Sequence, residues 1–352
     1  MALFVQPWPI FLSINYLGLQ ACFLRVFMKI KLNNVCIFPL AQILNCVVYC
    51  IFVAMAAGLP FLNPYKSTDD ADFRHGVNFA VAGSTALPTE ILASENILSP
   101  VTNSSLSVQL GWMSTHFNST CKTRGGWCVN QIKYLSFFLK QSTYCVEKLK
   151  NSLFMVGEIG GNDYNYALLP GKSIEEVKKI VPNVVEAIKN AVRRVIHYGA
   201  VRVIVPGNFP IGCFPIYLTR FQTNDTAVYD EDQCLKELND FSKYHNDNLR
   251  RAIKDLKNEF PNVVIVLFTI ILIFCFVMLY TGFDVMSLQK ACCGIGGNYN
   301  FSLTRMCGAG LPVCSNPNQH ISWDGVHLTQ EAYKFMTGWL IRNMLHKLQC
   351  SV

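Results

Sequence analysis

The stretch Leu153-Phe-Met-Val156 carries no charge and runs directly into Gly157-Glu-Ile-Gly-Gly-Asn-Asp163. A short apolar run of this kind reads as a buried strand, and the repeated glycines let the backbone turn tightly and approach a ligand. The next segment has the rhythm of a second layer. Ser173-Ile-Glu-Glu176 has capping-box spacing, and Pro182 can start a helical piece with one apolar stripe, Val185, Ile188, Val192, Val195 and Ile196, before Gly199 closes it. Val201-Arg-Val-Ile-Val205 gives another strand, ending in Pro206-Gly-Asn-Phe-Pro210. A long polar helix is expected from Asp230 to Phe260, with Leu235, Leu238, Phe241, Leu249, Ile253 and Leu256 inward, and Asn262 to Leu267 is the next strand. Strand, helix, strand, helix, strand implies a parallel sheet, with functional groups at the carboxyl ends of its strands.

At 352 residues, 51% hydrophobic and 15% charged, the chain can bury a substantial core, which excludes disorder. The net charge of +7 is spread as isolated pairs such as Lys178-Lys179, Arg193-Arg194 and Arg250-Arg251. No basic cluster interleaves with aromatics, so no nucleic-acid partner is expected. Fifteen cysteines and four sequons, at Asn103, Asn118, Asn224 and Asn300, favour the secretory pathway. Cys292, Cys293, Cys307 and Cys314 crowd a loop-rich segment and Cys213 and Cys234 flank another, which suits disulfide staples. Without a Cys-x-x-Cys pair or a nearby His-x-His, no metal and no cofactor are expected.

Two stretches run against a soluble reading. Val263 to Tyr280 is uncharged and just reaches the length of a membrane-spanning helix, and Val35 to Tyr65 is uncharged after Arg25, Lys29 and Lys31. Membrane contact through Val263 to Tyr280 is the less favoured reading, because its start also completes the strand pattern. Residues 1–55 are apolar with no clean period of two or 3.6, so pattern alone does not place them in a core.

Near the C-terminus, Ile321-Ser-Trp-Asp-Gly-Val-His-Leu-Thr329 sets an aspartate three residues before a histidine. His327 can serve as a base and Asp324 can hold its imidazole in the working tautomer; a surface turn with the same spacing is the plain alternative. Asn162, in the glycine turn, can donate its side-chain amide into a cleft, or Asn162 or Asp163 can cap its own backbone as an Asx turn. Gly83, in Gly76-Val-Asn-Phe-Ala-Val-Ala-Gly-Ser-Thr-Ala86, can offer a backbone N–H to the same oxyanion, or simply end a strand.

Together, "DFRHGVNFAVAGSTAL", "SLFMVGEIGGNDYNYAL", "VPGNFPIGCFPIYLT", "KACCGIGGNYNF" and "WDGVHLTQEAY" resemble the plant GDSL esterase/lipase family of the SGNH hydrolase superfamily. The likeness covers the chain from about Gly58 to Leu348 and is nearest to the subgroup acting on small acylated metabolites. It implies a flavodoxin-like three-layer α/β/α sandwich and a secreted or vacuolar hydrolase of small-molecule carboxylic esters. Position by position, it implies that Gly83 and Asn162 are oxyanion donors and that Asp324 and His327 complete a triad with a serine. It also implies that Cys213, Cys234, Cys292, Cys293, Cys307 and Cys314 form disulfides, and that Cys121 and Cys145 are neighbouring family cysteines.

The chain departs from that family in three places. The nucleophile block, Gly-Asp-Ser after the first strand, is absent: no Gly-Asp-Ser and no Gly-x-Ser-x-Gly occurs anywhere. Ser84 matches a family position that is not the nucleophile, and Ser13 has no strand-turn-helix context. Residues 1–55 must therefore replace the family's central first strand, or leave two strands with unpaired ladder groups, ahead of a hydrolase domain over residues 56–348. Extra length near Thr123 to Tyr144 and hydrocarbon at Thr269 to Tyr280 also interrupt family sequence abruptly, as translated intron or upstream DNA would.

Overall fold

A computed structural model of the chain describes residues 34–38, 60, 62–67, 71–122, 147–268, 283–308 and 310–344. Five parallel strands form one sheet: β1 (Asn34–Phe38), β2 (Gly76–Asn78), β3 (Ser152–Val156), β4 (Arg202–Pro206) and β5 (Val264–Phe268), in the order β2-β1-β3-β4-β5. That is the flavodoxin-like order, whose chain reversal between β1 and β3 opens a crevice at the carboxyl ends of the strands. The central strand is thus replaced rather than missing. Asn34–Phe38 pairs along its whole length with Ser152–Val156 on one side and, from Val35 to Ile37, with β2 on the other. Both neighbours keep their ladders through this five-residue insertion from the non-family segment.

The strands form where β-branched and aromatic residues recur, and β3 is buried at all five positions. Helices α1 (Thr89–Ser94), α2 (Leu106–Lys122), α3 (Gly161–Leu168), α4 (Ile174–Lys178), α5 (Val181–His197), α6 (Pro215–Arg220), α7 (Lys236–Glu259) and α8 (Gln330–Met344) flank the sheet. The α4 capping box forms as the spacing requires. Helix α5 has its proline in the first turn and buries Val185, Ile188, Val192, Val195 and Ile196, each side chain contributing about 1.5–3 kcal/mol. It packs against α2 on one side and α7 on the other. Helix α8 reaches β5 through Trp339, whose ring lies 5.9 Å from that of Phe268.

Helix α7 starts later than its polarity suggests, at Lys236 rather than Asp230. The Asp230 N–H donates to Cys234 O and the Cys234 N–H donates back to the Asp230 carboxylate, while Cys234 is bonded to Cys213, so this segment is held in a turn. Leu235 is buried as the residue before the helix, and Leu238, Phe241, Leu249, Ile253 and Leu256 face the core as expected.

The apolar run Val263 to Tyr280 begins as β5, the strand at one edge of the sheet; Thr269 to Tyr280 lies outside the described residues, as do Thr123 to Tyr144 and Ser13. Val35 to Tyr65 likewise opens as β1. Among the described residues no helix is long and apolar enough to cross a membrane.

Six of the cysteines close three disulfides, Cys213–Cys234, Cys292–Cys314 and Cys293–Cys307. They span 14 to 22 residues each, worth about 3 kcal/mol apiece on chain-entropy arithmetic. Cys121 lies in the last turn of α2, and Cys145 lies outside the described residues. Asn103, Asn118 and Asn224 are exposed, as glycan acceptors must be. Asn300 is turned inward instead: its side-chain amide donates to Ala291 O at 2.8 Å, a bond that a glycan on that nitrogen has to displace.

Under the sheet, His245 of α7 is fully buried and bonds through Nδ1 to the hydroxyl of Tyr164 at 2.7 Å. Burial pushes the imidazole down to about 4 from an ordinary 6.5. Between those two values the unfolded chain binds a proton that the folded chain refuses. The neutral ring therefore contributes fully above about pH 6.5, and its contribution falls by roughly 3 kcal/mol as pH drops toward 4. Urea melts of wild type and His245→Leu across this window isolate the group: the variant is less stable near neutrality, because the Tyr164 hydroxyl loses its partner, but its stability falls less steeply with acid. Parallel pH slopes for the two proteins would refute the assignment.

Candidate active site

The Asp324–His327 turn is built by its neighbours. Ser322 and Leu328 form an antiparallel bridge, and the Trp323 N–H donates to His327 O at 2.8 Å. The N–H groups of Cys292 and Cys293 donate to Ser322 and Trp323, so two disulfides anchor the segment entering the turn. Gly325 sits at φ 90°, and a Cβ there would collide with the Phe301 ring. Only glycine fits, and its carbonyl accepts the Ile216 N–H from α6.

Within this turn one carboxylate oxygen of Asp324 accepts the N–H groups of Val326 at 3.0 Å and His327 at 2.7 Å, and the other accepts from the His327 Nδ1–H. Burial pushes the Asp324 carboxyl up, but the His327 side-chain bond, its charge and the two backbone donors together outweigh burial and hold it below the usual carboxylate range. An ionised Asp324 keeps the proton on Nδ1 and leaves the basic lone pair on Nε2, the tautomer a general base needs.

The second half is a clamp. Gly83 lies in the left-handed region at φ 71°, where a Cβ would collide with the Val101 side chain. Its carbonyl accepts the Tyr166 hydroxyl at 2.9 Å, the next carbonyl, of Ser84, accepts the Asn162 amide at 2.9 Å, and both oxygens of Asp163 accept from the N–H groups of Ala86 and Leu87. Three side chains of α3 thereby grip residues 83–87. Asp163 is fully buried, and burial pushes its carboxyl up to about 7 against the pull of the same N–H groups. Neither Asn162 nor Asp163 is a mere local cap, since their partners are 76 to 78 residues away. Ser84 is buried, donating to Ser104 O and accepting from Gln109, which leaves it a structural residue.

One residue from each half lines a common cleft. Beyond the carboxyl ends of β3 and β4, a small open cleft of about 30 Å³ is lined by Glu158, Asn162, Asn208, Phe214, Tyr217 and Val326, among others. Asn162 of the clamping helix and Val326 of the Asp324–His327 turn line it, whereas Gly83, Asp324 and His327 are not among its lining residues. Sequence reading passes over Tyr166, Glu158 and Asn208, and weighs Asp163 only as a local cap. Tyr166, Asn208 and Asp163 bond across long chain separations, for which local pattern carries no signal. Asp163→Ala leaves two buried N–H groups without acceptors and should cost roughly 2–5 kcal/mol in thermal or urea unfolding; a change below about 0.5 kcal/mol would show that the clamp is not formed.

A family model described as GDSL-like lipase/acylhydrolase matches residues 52–340. The chain is 48% identical over 276 residues to a GDSL esterase/lipase of Arabidopsis thaliana, covering 78% of this chain and 79% of that protein. It is 42% identical over 304 residues to acetylajmalan esterase of Rauvolfia serpentina, covering 85% and 73%, and 41% identical over 303 residues to acetylajmalan esterase 2 of the same plant, covering 85% and 77%. The parallel sheet, the aspartate–histidine turn and these relatives agree: the chain belongs to the GDSL esterase/lipase family.

Proposed function

We propose that the chain descends from hydrolases of carboxylic esters of small acylated metabolites and keeps all of their site except the nucleophile. The observation that carries this reading is the buried Asp324, fastened by two backbone N–H groups and turned onto His327 Nδ1. In the acyl-enzyme route a serine hydroxyl gives its proton to His327 Nε2 as its oxygen attacks the ester carbonyl. The oxyanion that forms accepts hydrogen bonds from the Gly83 N–H and the Asn162 amide, and His327 returns the proton to the leaving alcohol. Water then repeats the sequence on the acyl-serine and frees the acid.

The missing part has a definite address. In a sheet of this order the nucleophile turn follows β1, next to the chain reversal. Here β1 is followed by Pro39-Leu40-Ala41-Gln42, and the first serine after it is the exposed Ser67. Removal of a triad member leaves only about 10³- to 10⁴-fold catalysis over water. The same absence favours a second reading, a non-catalytic relative that retains the cleft to bind ligands. The three disulfides and three exposed sequons support delivery through the secretory pathway, to the cell exterior or the vacuole.

The purified chain should hydrolyse p-nitrophenyl acetate no faster than its His327→Ala variant. Turnover at ordinary enzyme rates that His327→Ala abolishes would overturn the reading of an absent nucleophile. Replacing residues 1–55 by a family segment carrying the first strand and its Gly-Asp-Ser turn should raise turnover by about 10³-fold or more. That gain should vanish on His327→Ala or Asp324→Ala; a folded chimera with no gain would count against Asp324 and His327 as the base half.

A further inference from the structure

The sequon at Asn300 lies in the loop that supports the Asp324–His327 turn, and its side chain is already engaged there. The amide nitrogen donates to Ala291 O at 2.8 Å, and the side-chain oxygen accepts the Gly296 N–H at 3.1 Å. The backbone adds two ties. The Ala291 N–H donates to Tyr299 O at 3.0 Å, and the Asn300 carbonyl lies so close to Gly294 that a Cβ there would collide with it. Asn300 sits at φ 47°, in the left-handed region that asparagine tolerates better than most side chains.

Two routes lead from Asn300 to the turn. Residues 291–294, which it ties down, include the Cys292 and Cys293 N–H groups that donate to Ser322 and Trp323 just ahead of Asp324. Next along the chain, the buried Phe301 sets its ring where a Cβ on Gly325 would have to be. The same atoms bear on whether a glycan fits. Asn103, Asn118 and Asn224 are exposed, whereas the Asn300 nitrogen points at the carbonyl of Ala291, a residue only 2% exposed. N-glycosylation would bond that nitrogen to a sugar C1, as the bond from C1 to its pyrophosphate carrier breaks and the nitrogen loses a proton. A sugar ring there must either displace Ala291 or pull the nitrogen away, and the second leaves a buried acceptor unpaired.

We infer that Asn300 is a positioning residue for Asp324 and His327 and not a glycan acceptor: a sugar on Asn300 and a native Asp324–His327 turn exclude one another. The inference rests on the ester-hydrolase reading for the role of that pair, but its test needs no turnover. The full chain is secreted from insect cells, its folded fraction is isolated with all three disulfides closed, and its glycans are mapped by mass spectrometry after enzymatic release in heavy-oxygen water. Asn300 should be bare in that fraction; a folded fraction glycosylated at Asn300 overturns the inference.

Two variants separate the amide from the sequon. Ser302→Ala removes the sequon and keeps the amide, at the loss of one exposed contact with Thr304; Asn300→Gly removes the amide and still favours the left-handed backbone. The readout is the downfield proton signal of His327 Nδ1, assigned by its absence in His327→Ala. The signal should match wild type in Ser302→Ala and fall at least about threefold in Asn300→Gly, as the bond to Asp324 loosens. An unchanged signal in Asn300→Gly, or an equal fall in Ser302→Ala, would overturn the assignment. If Asn300→Gly does not fold, as judged by circular dichroism, Asn300→Asp takes its place with the same outcomes. The ester-hydrolase reading stands or falls separately, on turnover by the serine-bearing chimera.

Discussion

A single buried carboxylate ties the site to the sheet. Asp163 accepts the N–H groups of two consecutive residues, Ala86 and Leu87, and with Asn162 and Tyr166 on the same short helix it fixes the loop that carries Gly83. Backbone donors this deep must be paired, because each would otherwise cost a large share of a marginal folding free energy. Helix α3 lies only a short turn beyond β3, a fully buried central strand. The rigidity of the core is thereby passed to the loop that carries Gly83.

One strand of the sheet, Asn34–Phe38, lies outside the part of the chain that matches the family. Asn34–Phe38 has enough β-forming character to pair with β2 and β3, so the sheet is continuous. Strand pairing uses backbone groups that every residue but proline supplies, and it tolerates wide substitution. Acyl transfer through a serine has no such latitude, since it asks for one hydroxyl at one place. A chain can therefore retain the family's architecture while its amino-acid order contains no Gly-Asp-Ser.

The disulfides bear on the same cleft from both sides. Cys213–Cys234 holds the segment that includes Ile211 and Phe209 against the start of α7 and delays that helix until Lys236. Cys292–Cys314 and Cys293–Cys307 stiffen the loop whose N–H groups dock on Ser322 and Trp323, just ahead of Asp324. Covalent closure matters here because these segments have little regular structure of their own and would be the first to open.

The parallel sheet, the stripe on α5, the capping box, and the aspartate and histidine of the final turn were all legible in the amino-acid order. Each is written in spacings of a few residues: alternating or continuous apolar runs, a helical repeat, an i to i+3 pair. Other relations emerged only on folding: Asn34–Phe38 fills the central strand, Asp163 and Tyr166 clamp the Gly83 loop, and Glu158 and Asn208 share a cleft with Val326. They join residues far apart in the chain, where neither propensity nor periodicity carries information and the outcome is set by which backbone and side-chain groups remain to be paired once the core has closed.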